Sequence, residues 1–234
     1  GMGADHFDVE EFGADFAYTL DGDTEGEIQY ENFNAAKAEF EISGVNVHPG
    51  SSKDVMVNAS LVAMEINAML PAGETPRDTD GYEGFYHLTD MKGDVARAVL
   101  RYIVRDHDAA KFEARKEALQ DIEKKINQKW GRGTASLTIT DQYRNMAEII
   151  SGCMHLIENA EKACENAGVA PLILPIRGGT DGARLSFMGL PCPNLGTGGH
   201  GYHGPYEHIT AEGMDAACKV ALELVKIYAE ERAD

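Results

Sequence analysis

The chain has 234 residues, and its 43% hydrophobic and 26% charged content is typical of a globular protein rather than a disordered one. Its 21 basic and 39 acidic side chains give a net charge of −18, which disfavours nucleic acid and anionic membrane surfaces as partners. The sequence shows no apolar run of about 18 residues, no secretion signal and no CxxC pair, so we expect a cytoplasmic protein with reduced thiols.

The opening segment, residues 1–32, is strongly acidic. It holds ten acidic side chains and no lysine or arginine. Alternating apolar residues at Phe16, Tyr18 and Leu20 predict a short strand that ends at the turn Asp21-Gly22-Asp23. Because a compact domain usually mixes both signs of charge, we expect this segment to be the least firmly docked part of the fold.

The next segment, residues 33–142, alternates between strand and helix periodicities. The patterns predict strands over 36–43, 85–89, 95–105 and 137–139, and helices over 55–70 and 108–130. Asp54 is the predicted cap of the first helix, and residues 90–93 are the predicted turn between the middle strands. This order matches a split βαβ plan, a four-stranded antiparallel sheet with two helices on one face.

The last segment, residues 143–234, has α/β organisation. The patterns predict helices over 145–168 and 210–229, an apolar strand over 170–175, and a glycine-rich turn with a short helix over 178–189. The predicted fold class is therefore α/β, with an α+β unit of four antiparallel strands and two helices between two parts of a second unit. The expected boundaries are 1–32, 33–142 and 143–234.

Four residues in loops at strand ends are candidates for chemistry. Asp21 and His203 are a carboxylate and an imidazole of the kind that zinc sites use, but their spacing alone specifies no metal and favours a turn aspartate and a surface histidine. Arg177 precedes glycines at a predicted helix start, which suits either an anion site or a structural turn. His48, before Pro49 and Gly50, reads by pattern as an exposed turn residue.

Several long strings resemble one family. They are VHPG at 47–50, GYEGFYHL at 81–88, DMKG at 90–93, PIRGGTDGA at 175–183 and FMGLPCPN at 187–194. Together they closely resemble the tripeptide aminopeptidases of the M20 family of dinuclear zinc peptidases, from about residue 7 to residue 229. The resemblance implies that residues 33–142 form a lid, which is also the dimerisation domain. It also implies that the flanking segments are parts of the catalytic domain.

The resemblance also implies roles for single residues. Asp21 and His203 would be zinc ligands, with His200 beside His203 as an open alternative, and His48 would be the catalytic residue that stabilises the developing oxyanion. The residues implied in binding the peptide and its C-terminal carboxylate are Arg177, Gly178, Gly179 and Thr180, with Arg105 and Asn58 as weaker candidates.

The resemblance implies that the family's HxD, GADD and Glu-Glu motifs, which supply the remaining zinc ligands and the general base, precede the part that these residues match. The stretch HFDVEEF at 6–12 holds an acidic pair, Glu10-Glu11, but it resembles the segment that follows the catalytic glutamates, so we do not assign the pair that role. We therefore expect the chain to resemble the back half of a two-zinc tripeptidase, to form a homodimer through the lid, to bind zinc weakly and to be inactive on its own. The alternative is a non-catalytic dimerising or peptide-binding module of the same family.

Overall fold

The computed structural model describes residues 3–231, and these residues form two compact units. Unit 1 combines the described residues up to Asn32 with those from Arg144 onward, and unit 2 is Phe33–Tyr143. All four cysteines are free thiols. Among the described residues, no helix combines the length and the apolar character that crossing a membrane requires.

Helices and strands alternate along most of the chain. In chain order they are α1 Val9–Phe12, β1 Thr19–Gly22, β2 Glu27–Gln29, β3 Asn34–Ser43, α2 Ala59–Ala68, β4 Phe85–Gly93, β5 Arg97–Asp106, α3 Ala109–Trp130, β6 Ala135–Tyr143, α4 Ala147–Ile150, α5 His155–Asn166, β7 Leu172–Ile173, α6 Asp181–Phe187, β8 Asn194–Gly196, β9 Gly199–His200, β10 His208–Ile209 and α7 Ala211–Glu231. Short 3-10 helices lie at Ala4–His6 and Pro49–Ser51. The mixed α/β class predicted from the sequence is confirmed.

Unit 2 is an antiparallel sheet in the order β4-β5-β3-β6, covered by α2 and α3. Alternate residues of β3 and β5 point into one core, because successive side chains of a strand face opposite sides of the sheet. Phe40 of β3 and Leu100 of β5 are fully buried there, together with Leu119 and Ile126 of α3. Both helices pack into this same core, as the split βαβ plan predicts.

The first helix of unit 2 begins later than predicted. Asp54 has a left-handed φ of 61°, which is not the extended backbone of an N-cap residue. Asn58 is the cap instead, because its Oδ1 accepts hydrogen bonds from the backbone N–H groups of Ser60 and Leu61. The prediction of Asp54 as the cap and of residue 55 as the helix start was therefore wrong.

The turn between β4 and β5 also lies later than predicted. The segment 90–93 continues strand β4, and the chain turns at Asp94, whose Oδ1 accepts from the backbone N–H groups of Ala96 and Arg97. Gly93 does not form the turn. A side chain does not fit at this position, because a Cβ there would lie 2.5 Å from the Cβ of Ala98. The glycine allows the two strands to approach each other closely.

Unit 1 is a sheet in the order β1-β8-β2-β7, packed against helices that include α5 and α7. Strand β1 pairs in parallel with β8, and β2 pairs in parallel with β7 and antiparallel with β8. Ile28 of β2 is fully buried among residues from the C-terminal part of the chain, such as Leu156 and Leu195. The expectation that residues 1–32 would be poorly docked is therefore wrong, because two of their strands are integral to this sheet.

Candidate active site

The carboxyl end of β1 is joined to the loop after β8 by hydrogen bonds that the carbonyl oxygens of Gly22 and Asp23 accept. The carbonyl oxygen of Gly22 accepts from the Thr197 N–H at 3.2 Å, the Thr197 hydroxyl at 2.9 Å and the Tyr202 hydroxyl at 3.2 Å. The Asp23 carbonyl accepts from the N–H groups of Gly198 and Gly199. These bonds bring the strand end that carries Asp21 next to the hairpin that carries His203, although the two residues lie far apart in sequence.

Asp21 lies in a locally negative environment. Although the residue as a whole is exposed, partial burial of its carboxylate raises its pKa, the neighbouring Asp181 and Asp23 raise it further, and the nearby His203 lowers it. A carboxylate whose neighbours repel its charge is stabilised by a bound cation. Sequence analysis missed Asp181 as a charged neighbour of Asp21.

His203 lies in the exposed loop between β9 and β10. Its backbone has a left-handed φ of 59°, and its N–H donates to the Glu207 side chain at 3.0 Å. His200, the alternative ligand, lies in β9, where its ring faces His208 on the paired strand. The two histidines of this hairpin thus occupy different positions, one in the loop and one in the strand.

A buried network of polar side chains holds the turn that follows Asp21. The Glu27 carboxylate, only 5% exposed, accepts from the Asp23 N–H at 3.1 Å, the Thr24 hydroxyl at 2.9 Å and the Gln29 amide at 3.0 Å. The network extends to β8, where the side-chain amide of Asn194 donates a hydrogen bond to the Gln29 side chain. Sequence analysis did not single out Glu27 or Gln29, yet two polar residues flanking Ile28 in a short strand are the signal that could have found them.

The donor set fits a cation but does not complete a zinc site. Among the described residues, no three His, Cys, Asp or Glu side chains are grouped so that they could hold a metal ion. Zinc sites in enzymes generally have three protein ligands. Asp21 and His203 as zinc ligands, and weak zinc binding by this chain, therefore stay predictions.

Replacing Asp21 with asparagine is expected to raise stability at neutral pH by less than about 1 kcal/mol, because the residue is largely exposed. A folded-state pKa above the ordinary aspartate value means that the ionised carboxylate opposes folding, and this penalty disappears as the pH falls through the raised pKa. The gain should therefore shrink in acid. Urea unfolding at several pH values measures it, with Asp15→Asn as the net-charge control, and a destabilised Asp21→Asn chain at pH about 7 would contradict it.

The segment predicted to bind a carboxylate leads into a helix. Arg177, half-buried, follows the bridge between Asn32 and Ile176, and Gly178 and Gly179 connect it to α6. The Thr180 hydroxyl caps this helix by accepting from the Ala183 N–H at 3.1 Å. The predicted strand-turn-helix context of this motif is therefore present, and Thr180 has a structural role in it.

The other predicted site residues lie in unit 2. His48 is exposed, and its Nδ1 accepts from the Gly50 N–H at 3.1 Å, which places the proton of the neutral ring on Nε2. Arg105 donates to the carbonyls of Ala36 and Val104, and burial lowers its pKa. The Oδ1 of Asn58 is engaged in capping α2. These bonds give Arg105 and Asn58 structural roles.

Comparison with known proteins shows which proteins this chain resembles. A family model for the peptidase dimerisation domain of M20 enzymes matches residues 30–134. The chain is 57% identical to a peptidase T of Clostridium perfringens over 231 residues and 54% identical to one of Desulfitobacterium hafniense over 234 residues. The chain is similar to M20 peptidases over nearly its whole length. This confirms the resemblance found in the sequence motifs.

The chain covers only part of the length of these relatives. It spans 57% of the length of both peptidase T relatives, while 99% and 100% of its own residues are matched. Solved structures agree on the fold: an aminopeptidase from Bacillus cereus has a TM-score of 0.82 at 23% identity, covering 95% of this chain and 60% of that one. A tripeptidase from Staphylococcus aureus has a TM-score of 0.86 at 20% identity, covering 98% and 61%.

Proposed function

We propose that this chain supplies the lid and part of the metal site of a zinc-dependent tripeptide aminopeptidase, which releases the N-terminal residue of tripeptides. The observation that carries the proposal is the pairing of the Asp21 strand end with the hairpin of His203 through Gly22 and Asp23. Similar proteins named peptidase T, aminopeptidase and tripeptidase support it. The free cysteines suit a cytoplasmic setting, where thiols are kept reduced.

In this proposal Asp21 and His203 hold zinc together with ligands from outside these 234 residues. Zinc in such a site supplies Lewis-acid polarisation of the scissile carbonyl. Glu27 keeps the turn after Asp21 fixed by accepting the Asp23 N–H, so the carboxylate is held at the strand end. A buried carboxylate with satisfied hydrogen bonds is a rigid support for a ligand of this kind.

The remaining proposed roles concern substrate. Arg177 binds the C-terminal carboxylate of the peptide, because a guanidinium pairs with a carboxylate through two parallel hydrogen bonds. Gly178 and Gly179 present backbone without side chains beside it. His48 donates from Nε2 to the developing oxyanion, a role that its Nδ1 bond to Gly50 prepares by fixing the tautomer.

A chimera tests this function. The matching 231 residues of the Clostridium perfringens relative are replaced by this chain, and release of the N-terminal residue from a tripeptide is measured. We expect an active chimera whose turnover falls by about three orders of magnitude or more in Asp21→Ala or His203→Ala, since residues of one site act as a unit. His87→Ala, at an exposed strand position of unit 2, is the control and should keep full activity.

The chain alone should show no release of the N-terminal residue, because it holds two of the expected ligands and none of the motifs for the general base. Tripeptide cleavage by the isolated chain that is abolished by His203→Ala would contradict the inactive-fragment proposal. A chimera that is active but unaffected by both Asp21→Ala and His203→Ala would contradict the metal-site proposal.

We also propose that unit 2 mediates a homodimer. The matched dimerisation-domain model supports this, as does the outer face of α2, where Leu61 and Met64 are 60% and 59% exposed. Two large apolar side chains one turn apart on a helix form a surface that a second copy can cover. The opposite face of the same helix, with Val62 and Ile66, is buried in the core of unit 2.

Leu61→Glu is expected to weaken the dimer at least tenfold, a change of about 1.4 kcal/mol, because a charge would be buried in the interface. Sedimentation equilibrium of the full chain measures the association constant. Leu222→Glu is a matched control, since Leu222 is also 60% exposed but lies on α7 in unit 1. Equal association of the wild type and Leu61→Glu would contradict the proposed interface.

A further inference from the structure

The hairpin that carries His203 has a second pair of histidines. Strands β9 and β10 are antiparallel, and His200 and His208 are directly opposed in their register. Their ring centroids are 5.5 Å apart with an interplanar angle of 36°. The proposed peptidase site uses His203 and neither of these two residues, although His200 was the alternative ligand in the sequence.

The separation of the rings suits a shared metal ion. Two imidazoles on one tetrahedral zinc ion, with Zn–N bonds of about 2.1 Å, have ring centroids about 5 Å apart. Opposed residues of an antiparallel pair have Cβ atoms only about 5 Å apart, so both rings can reach one ion without a change of strand register.

The tautomer of His208 is also the one that metal binding needs. Its Nδ1 lies 2.8 Å from the Tyr206 carbonyl oxygen, and because a carbonyl can only accept, Nδ1 carries the proton. The lone pair of the neutral ring is then on Nε2. Metal-binding histidines generally donate their other ring N–H to a backbone carbonyl or carboxylate in this way, which fixes the ring orientation. His208 is exposed, so an ion can reach it from solvent.

We propose that His200 and His208 form a two-histidine site for a divalent transition ion of the zinc, nickel or copper class. The described residues offer no group of three ligating side chains, so water completes the coordination and the ion exchanges readily. Binding joins the two strands at the base of the loop 201–207. The bound ion therefore restrains the loop that presents His203, independently of whether the peptidase site is filled.

The test is a zinc titration by calorimetry in an Asp21→Ala, Cys218→Ser background. This background removes a ligand of the proposed peptidase site and an exposed thiol that could also bind zinc. His200→Phe and His208→Phe, which keep an aromatic ring, should each weaken zinc binding at least about tenfold. His87→Phe, on the exposed face of β4, should leave binding unchanged.

Hydrogen exchange gives a second readout. Zinc should slow exchange of the amides in 201–207 in the background chain, and His208→Phe should remove this protection. The proposal is overturned by an absence of zinc binding, by binding that neither His200→Phe nor His208→Phe weakens, or by binding that His203→Phe abolishes while His208→Phe leaves it intact. The last result would place the ion with His203 instead.

Discussion

Arg115→Met is expected to lower the free energy of unfolding of unit 2 by about 3–5 kcal/mol, the usual cost of leaving one member of a buried ion pair without its partner. The Arg115 side chain is 14% exposed, and its Nε donates to the Asp106 carboxylate at 2.8 Å. Asp106 is 1% exposed, so water cannot replace the guanidinium. Burial alone would lower the pKa of Arg115, yet its hydrogen bonds to Asp106 and Glu74 outweigh this and raise it.

Trp130, the single tryptophan, lies at the end of α3 and makes its fluorescence a reporter of unit 2 during urea unfolding. The matched control is Arg97→Met, because Arg97 and Glu41 form an exposed pair with 66% and 52% exposure, which should contribute less than about 1 kcal/mol. Adding Asp106→Asn to Arg115→Met should recover part of the loss. Equal losses for Arg115→Met and Arg97→Met would contradict the buried-pair account.

Phe40→Ala should cost unit 2 about 3–5 kcal/mol, because it leaves a cavity at the centre of the sheet. Phe40 is fully buried, its ring centroid lies 6.4 Å from that of Tyr102, and the core around it includes residues of both α2 and α3. Rigid elements on both sides of the ring limit how far the site can collapse.

Phe40→Leu is the graded comparison and should cost less than Phe40→Ala, because it conserves more of the volume. Lys37→Ala, at an exposed position of the same strand, should change stability by no more than about 0.5 kcal/mol. Tryptophan fluorescence in urea again follows unit 2. A Phe40→Ala chain as stable as Phe40→Leu would show that the core repacks around the missing ring.

The elements of unit 2 could be predicted because each has its own period. From Ala36 to Ser43 the residues of β3 alternate between core and more exposed positions, and α3 follows its cap Asp108, the residue at which the helix was predicted to start. The predicted boundaries of α2 and of the β4–β5 turn were wrong because side-chain hydrogen bonds determine them. The cap at Asn58 and the turn at Asp94 depend on local hydrogen bonds, which several neighbouring Asp and Asn residues could have made equally well in the sequence.

Unit 1 could not be predicted in the same way. Its strands are short, and β1 pairs with β8 between residues as far apart as Thr19 and Asn194. Charge pattern suggested that the acidic opening segment would be repelled, but backbone pairing and the burial of Ile28 outweigh surface repulsion, which solvent and salt screen. Pairing of distant parallel strands leaves no local signal in a sequence.

The candidate site, like the fold, could be predicted only in part from the sequence. Asp21 and His203 came from family resemblance, since their spacing specified no metal. The hydrogen bond from Thr197 to Gly22 joins β1, which carries Asp21, to the loop after β8. In the sequence Asp181 was noted only as part of a glycine-rich motif. In the folded chain its negative charge raises the pKa of Asp21.

The central claim is that Asp21 and His203 act on the same cation. Zinc calorimetry in a His208→Phe, Cys218→Ser background tests it most directly, with Asp21→Ala, His203→Ala and their combination forming a double-mutant cycle. We predict binding weaker than about 1 µM, lost about equally in each single variant, with no further loss in the combination. Losses that add as for two separate sites, or zinc binding that neither substitution changes, would contradict the account.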